Sequence, residues 1–399
     1  MTAHVFVVDS TTFAIHLKYN FVGTGSKENN IDFNDGEYSS LHHKTESTLV
    51  AMMADGSRLK RDDHVYFYLV QNGNSGGKFY GVFRCVDDGS FLDLGAQNQY
   101  LLHELGKSLE IRAIIEPEEV YPSGISEWEL LDDLSGVDRP NEMIWSLIYR
   151  KLKGNRGNTM ITLFEEQRLL KLLKEKNLSQ VPLVASAGLD FNESSGQIID
   201  SIRIQSYLGS KRSIKLLPRL KSRYEGGSQF EAHLQAMLVL SIASTPISSF
   251  QDLIFQNHEI LWLGNEVSCG VGMQRIDILA HSKCEDIEYI SPIELKSVPA
   301  TSDNFRQLQR YIDWLRLYYT PIMDAQIRPI LVTRSIPNLN LVAIQAFNVE
   351  INAFNLANSD SHPLVWLTYC LVNGSLVFRD ELAFWDSLIE EANVNDVEK

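Results

Sequence analysis

The stretch Gly270–Tyr311, GVGMQRIDILAHSKCEDIEYISPIELKSVPATSDNFRQLQRY, reads as strand, turn, strand, helix. Side chains alternate along a strand. In Arg275-Ile276-Asp277-Ile278-Leu279, Ile276 and Ile278 therefore share one face and Asp277 takes the other. In Ile293-Glu294-Leu295-Lys296, Ile293 and Leu295 turn inward while Glu294 and Lys296 share the opposite face. Pro292 suits the strand's entry, because proline donates no ladder hydrogen bond. Paired antiparallel, the two strands would hold Asp277 and Glu294 roughly 5 Å apart at Cβ. Carboxylates that close repel unless a cation neutralises them. With a lysine beside them, they suggest a hydrated Mg²⁺ (or Mn²⁺) site that handles phosphate.

The helix expected over Asn304–Tyr318 turns Phe305, Leu308, Ile312 and Leu315 to one face. Gln307 and Tyr311, four apart, share another face toward the carboxylates. Upstream, Phe230–Ile242 has helical apolar periodicity and carries Glu231. Each carboxylate taken singly fits a solvated, salt-bridged strand face. It is the ordered set that points to chemistry.

That set resembles the PD-(D/E)xK nuclease superfamily. Asp277 followed by Glu294-Leu295-Lys296 looks like its signature, and Gln307-Leu308-Gln309-Arg310-Tyr311 is similar to the QxxxY element of the RecB-like and NucS-like branch. Glu231-Ala232-His233-Leu234 sits where the superfamily places a helix-borne acidic residue. The resemblance runs from near Phe230 to the end of the expected sheet; one departure is Ile276 at the signature's proline position, a proline that many members lack. It implies a restriction-endonuclease-like mixed sheet flanked by helices over 225–399. The implied activity is a metal-dependent DNA endonuclease, a phosphodiesterase acting in restriction of modified DNA or in DNA repair. It also implies that Asp277, Glu294 and the Leu295 carbonyl hold Mg²⁺ or Mn²⁺, and that Lys296 orients or helps to deprotonate the attacking water. Glu231 would support the metal shell through water, and Gln307 and Tyr311 would position the strand or Lys296. A reader of a different class has the same residues: a non-catalytic nucleic-acid or modified-base binding protein with a decayed nuclease core. Retention of the full residue set argues for the enzyme.

The chain's 399 residues leave room for two or three domains, and 44% hydrophobic with 22% charged residues is ordinary for a globular protein. No apolar run approaches the roughly 18–20 residues of a membrane span. Met1–Val5 lacks a signal peptide's basic and apolar regions. Cys85, Cys269, Cys284 and Cys370 are scattered without a CxxC pair, so reduced thiols and a cytoplasmic location are expected. A net charge of −15 opposes nonspecific nucleic-acid binding by the whole molecule. DNA contact would need a locally basic surface. A homodimer is compatible with the sequence.

Residues 1–135 read as β-rich, with strands at His4–Val8, near Tyr66–Tyr68 and over Lys78–Val86; Phe13–Leu17 fits a strand or a short helix. LKRDDHVYFYL followed by GKFYGVFRCV is similar to the PUA/EVE/YTH group of small barrels, which implies a reader of RNA or modified bases. Tyr66, Phe67, Tyr68, Phe79, Tyr80 and Phe83 suit a barrel core, with an aromatic cage for a flipped base as the alternative.

The segment 136–224 reads as helical and basic. Helices are expected from Met143 to Leu152 and from Leu163 to Lys176, with a small, polar linker over 186–200. Arg203, Lys211, Arg212, Lys215, Arg219, Lys221 and Arg223 follow with no acidic residue among them. This is either a solvated basic face or a track for DNA phosphates. Further strands are expected at Arg328–Thr333 and Leu341–Phe347, then a hairpin around Asn373-Gly374. Gly270-Val271-Gly272 precedes a strand and lacks the Lys-Ser/Thr ending of a phosphate loop. His42-His43 suits the surface, and no His/Cys metal spacing or GxSxG nucleophile motif occurs.

Overall fold

The computed structural model describes residues 2–25, 43–70, 76–93, 99–132, 143–144, 157–183, 188–202, 205–227, 230–244, 246–269, 274–319, 324–336 and 340–397, with backbone alone at 43–45 and 390–397. Arg203, the 270–272 glycine stretch and most of the helix expected over 143–152 lie outside the described residues. The chain divides into two compact units, residues 1–216 and 217–399.

The first unit is built on β1 (Ala3–Val8), β2 (Phe21–Thr24), β3 (His64–Leu69), β4 (Lys78–Cys85), β5 (Phe91–Leu92), β6 (Ile111–Pro117), β7 (Ile125–Ser126) and β8 (Asn158–Ile161). They form one sheet along the path β2-β6-β4-β3-β1-β8, with β5 on β6 and β7 on β4. β1 and β3 run parallel. Both faces of these two strands are covered. Phe6, Val8, Val65, Phe67 and Leu69 pack into one core, while Ala3, Val5 and Tyr66 pack into another with Leu169 and Leu173. This two-sided burial explains their nearly unbroken apolar sequences. Phe13–Leu17 is helical, within Ser10–Tyr19. Asp9 accepts from the Thr12 amide at 2.8 Å to cap its start, and Asn20, at φ 51°, ends it in the left-handed region. The helix Leu163–Lys176 starts on a reciprocal Thr162–Glu165 capping box.

The expected linker over 186–200 is instead a hairpin of β9 (Gly188–Asn192) and β10 (Gln197–Ser201). Asn192 Oδ1 accepts from the amides of Ser194 at 3.0 Å and Ser195 at 3.2 Å, and Gly196 supplies a φ of 64°. Leu189 and Ile198 anchor the hairpin in the core. Its polar turn residues hid two short strands.

The second unit begins with helices Leu217–Glu225, Glu231–Ala243 and Ser248–Ile254. Its sheet comprises β11 (Glu259–Ser268), β12 (Arg275–Cys284), β13 (Ile287–Leu295), β14 (Ala325–Ile327), β15 (Ile330–Arg334), β16 (Val365–Val372) and β17 (Ser375–Asp380). The order is β11-β12-β13-β15-β16-β17, with β14 also on β13. β11, β12 and β13 form an antiparallel meander, and β13, β15 and β16 run parallel. Helices Ser302–Tyr318 and Leu341–Ala357 make the crossovers, and helix Glu381–Val397 follows β17. The architecture is thus mixed α/β, α+β overall.

Leu341–Phe347, expected as a strand, is the first half of a 17-residue helix. Asn340 Oδ1 accepts from the Ala343 amide at 2.9 Å, and Ile344, Ile351 and Phe354 repeat at helical spacing on the buried side. A short apolar run alone does not separate the two periods. The β16–β17 turn matches its Asn-Gly sequence, with φ of 50° at Asn373 and 78° at Gly374. Among the described residues no single helix is long and apolar enough to cross a membrane.

Candidate active site

The β12–β13 register pairs Ile278 with Ile293, so Asp277 and Glu294 fall opposite each other one step further along the ladder. Asp277 Oδ2 accepts from the Leu295 amide at 2.8 Å, which ties one carboxylate to the other's strand. The Glu294 side chain is fully buried, and its Oε1 is bonded by Lys296 Nζ. The Tyr311 hydroxyl lies 2.9 Å from Glu294 Oε2 and 2.6 Å from the Arg275 carbonyl, and Gln307 Nε2 donates to it at 2.7 Å. With a single proton, this hydroxyl serves one acceptor at a time. The backbone of Lys296 is pinned at the end of β13: its amide donates to Val332 O at 2.9 Å, and its carbonyl accepts from Tyr369 at 3.0 Å. Glu231, half-exposed in the first turn of its helix, reaches Lys296 Nζ at 4.0 Å. Asp277, Glu294, Leu295, Lys296, Glu231, Gln307 and Tyr311 are therefore neighbours in space.

Three further residues complete the surroundings. Gln235 is buried one turn after Glu231, and it donates to Asp277 O at 2.9 Å. Arg275 shares the Asp277 face of β12 and pairs with Glu266 on β11. Glu266 takes a left-handed φ of 52° there. Gln235 could have been found four positions after Glu231, and Arg275 two before Asp277. Glu266 had no comparable signal, because its place depends on the register with which β11 pairs β12.

Burial pushes both carboxyl groups above the usual carboxylate range. For Asp277 the nearby Glu294 charge adds to burial, against the Leu295 amide and Lys296. For Glu294, Lys296 and Tyr311 oppose burial without cancelling it. Burial also works against the charge on Lys296, but Glu294, Glu231 and Asp277 outweigh it and its pKa is raised. Burial lifts the nearby Cys269 thiol to about 12, so it offers no thiolate. What remains is an oxygen-only set with excess negative charge, the chemistry of a hard divalent cation. Its oxygens are those of the Asp277 and Glu294 carboxyl groups. Among the described residues no group of three or more His, Cys, Asp or Glu side chains is arranged to hold a metal ion.

The basic run straddles the division at residue 216, and its members sit in different settings. Lys211 Nζ pairs with Asp87 at 2.5 Å, and the Arg212 backbone bridges to Leu92. Lys215 is exposed, Arg219 is buried, Lys221 lies 3.8 Å from Glu225, and Arg223 is half-buried.

No protein-family model matches the chain, and no curated protein matches it. Among solved structures it is similar to Rpa0253 from Rhodopseudomonas palustris, with 9% identity, a TM-score of 0.23, and coverage of 43% of this chain and 92% of that one. It is also similar to SfsA of Pyrococcus furiosus, determined in complex with Ca²⁺, with 14% identity, a TM-score of 0.20, and coverage of 40% of this chain and 63% of that one. The chain thus spans less than two thirds of the SfsA structure. Likenesses this weak establish neither a shared fold nor an activity.

Proposed function

We propose that the second unit is a divalent-metal-dependent endonuclease that hydrolyses DNA phosphodiester bonds, in restriction of modified DNA or in DNA repair. The observation that carries this reading is the fully buried Glu294 carboxylate, opposite Asp277 across the β12–β13 ladder and tied to both Lys296 and Tyr311. Buried carboxylates are costly without compensating charge. Asp277, Glu294 and the Leu295 carbonyl would hold Mg²⁺ or Mn²⁺, which supplies Lewis-acid polarisation of the phosphate and a more acidic bound water. Lys296 would orient the water or help to deprotonate it, and its ammonium would offset the developing phosphorane charge. Tyr311, steadied by Gln307, holds Glu294 in place, and Glu231 offers an acceptor on the solvent side of Lys296.

A base-reading role for the first unit rests on the resemblance of its β3–β4 stretch to PUA/EVE/YTH barrels. Tyr66, Phe67, Phe79, Tyr80 and Phe83 are all buried in its cores, so a base would be met by other side chains. The test is to incubate the purified protein with plain, methylated, mismatched and single-stranded DNA, with and without Mg²⁺ or Mn²⁺. Metal-dependent cleavage that EDTA stops supports the enzyme. Binding without cleavage on every substrate would shift the reading to a nucleic-acid-binding protein with a decayed core.

A further inference from the structure

Helix Leu341–Ala357, LVAIQAFNVEINAFNLA, is apolar on both sides. Its inner side packs normally: Ile344, Ile351 and Phe354 are buried, and Phe347 packs on Phe305, Trp366 and Trp385. Its outer side is exposed: Val342 is 75%, Val349 70% and Leu356 79% accessible, and Ala346 and Ala353 between them are exposed too. A surface helix ordinarily turns a charged or polar face to water. Among these 17 residues only Glu350 is charged, and it accepts from Ser302 Oγ at 2.8 Å.

The exposed positions 342, 346, 349, 353 and 356 step by four, three, four and three, the spacing of a coiled-coil seam. Their order is large, small, large, small, large, which reads alike from either end. A two-fold contact requires such self-complementarity, since one patch must serve both subunits. Centred on Val349, an antiparallel copy sets Val342 against Leu356, Val349 against Val349, and the two alanines beside each other where the backbones approach. The seam's neutrality also matters in a chain of net charge −15, where a charged face would repel its own copy.

We infer that this helix face is a homodimer interface, an antiparallel two-fold helix pair centred on Val349. The inference is independent of the nuclease chemistry. A seam from one helix of about 25 Å lies at the small end of specific interfaces, so the dimer is weak, with a Kd on the order of micromolar.

The test uses the full chain in sedimentation velocity from about 1 to 100 µM, the range that brackets such a Kd. The mass should rise from one 45.3 kDa chain toward two. Val349→Glu, at an exposed position, should leave the fold's circular dichroism unchanged and weaken association at least about tenfold by facing like charges across the axis. Orientation is read by oxidative cross-linking relative to the unsubstituted chain. Val342→Cys mixed with Leu356→Cys should cross-link, whereas Val342→Cys alone should not, because its copies would lie about 20 Å apart. A chain that stays monomeric throughout, or a dimer indifferent to Val349→Glu, overturns the inference. So would a Val342→Cys that cross-links to itself, or protection of Val349→Cys from thiol labelling in the monomer, which would mean that the face is covered within one chain.

Discussion

Lys296→Met keeps the length of the side chain and removes its charge. The Lys296 side chain is 21% exposed and the Glu294 side chain 0%, so the variant leaves a buried carboxylate with Tyr311 as its remaining hydrogen-bond donor. Breaking a buried ion pair from one side costs about 3–5 kcal/mol, and the partial exposure of Lys296 puts this case near about 3. That cost requires Glu294 to be charged. Its pKa is already raised by burial, against the lowering influence of Lys296 and Tyr311, and loses the Lys296 contribution in the variant. A carboxyl whose folded pKa exceeds its unfolded one costs nothing below the unfolded pKa, and costs progressively more as pH rises through the folded one. The metal-free variant should therefore lose about 3 kcal/mol at pH 8 and less at pH 5, because protonation of Glu294 removes the need for a counter-charge. Urea unfolding followed by tryptophan fluorescence, to which the buried Trp366 and Trp385 of the second unit contribute, reads this out at the two pH values. Equal losses at both, or less than about 1 kcal/mol at pH 8, would refute the electrostatic account of the site. In single-turnover cleavage the same variant should lose about 10²–10³ in rate with DNA affinity nearly intact. Undiminished cleavage would place the active site elsewhere in the chain.

Cleavage should require Mg²⁺ or Mn²⁺, with Ca²⁺ supporting DNA binding but little turnover; full activity in excess EDTA would contradict this. Because both site carboxyls have raised pKa values, Asp277→Asn should raise the metal-free melting temperature at pH 8 and abolish stabilisation by Mg²⁺ in a thermal-shift titration. In the first unit, His64 stands between Glu166 and Glu118, the latter at 3.3 Å, and its pKa is raised by Glu166 against burial. His64→Gln should then cost about 1 kcal/mol below pH 6.5, with the deficit vanishing as pH rises through the folded pKa; a deficit that grows with pH would reverse the assignment. Changing Lys211, Arg212 and Lys215 to Ala should flatten the salt dependence of DNA binding by about 0.9 per lost phosphate contact on a log–log plot. An unchanged slope would return them to a solvated face.

The β12–β13 pair was legible because strand alternation is local: Ile276, Ile278, Ile293 and Leu295 mark the inner face, so Asp277, Glu294 and Lys296 must share the other. The helices Leu163–Lys176 and Ser302–Tyr318 and the Asn373-Gly374 turn were legible for the same reason, since caps, 3.6-residue periodicity and turn chemistry act over a few neighbouring residues. Where the local signals were ambiguous the outcome was decided by packing. Leu341–Phe347 became helical because Phe347 packs on Phe305, Trp366 and Trp385 and Phe354 packs on Phe305, with Ile344 and Ile351 also buried, and the polar 188–201 segment became a hairpin because Leu189 and Ile198 reach the core. Only the tertiary structure brought the Gln235 amide onto the Asp277 carbonyl and Glu266 onto Arg275, and distributed the basic run across both sides of residue 216. Such placements depend on contacts between residues far apart in the chain. Periodicity along a sequence reports which face a side chain takes, and only the packed fold supplies what that face meets.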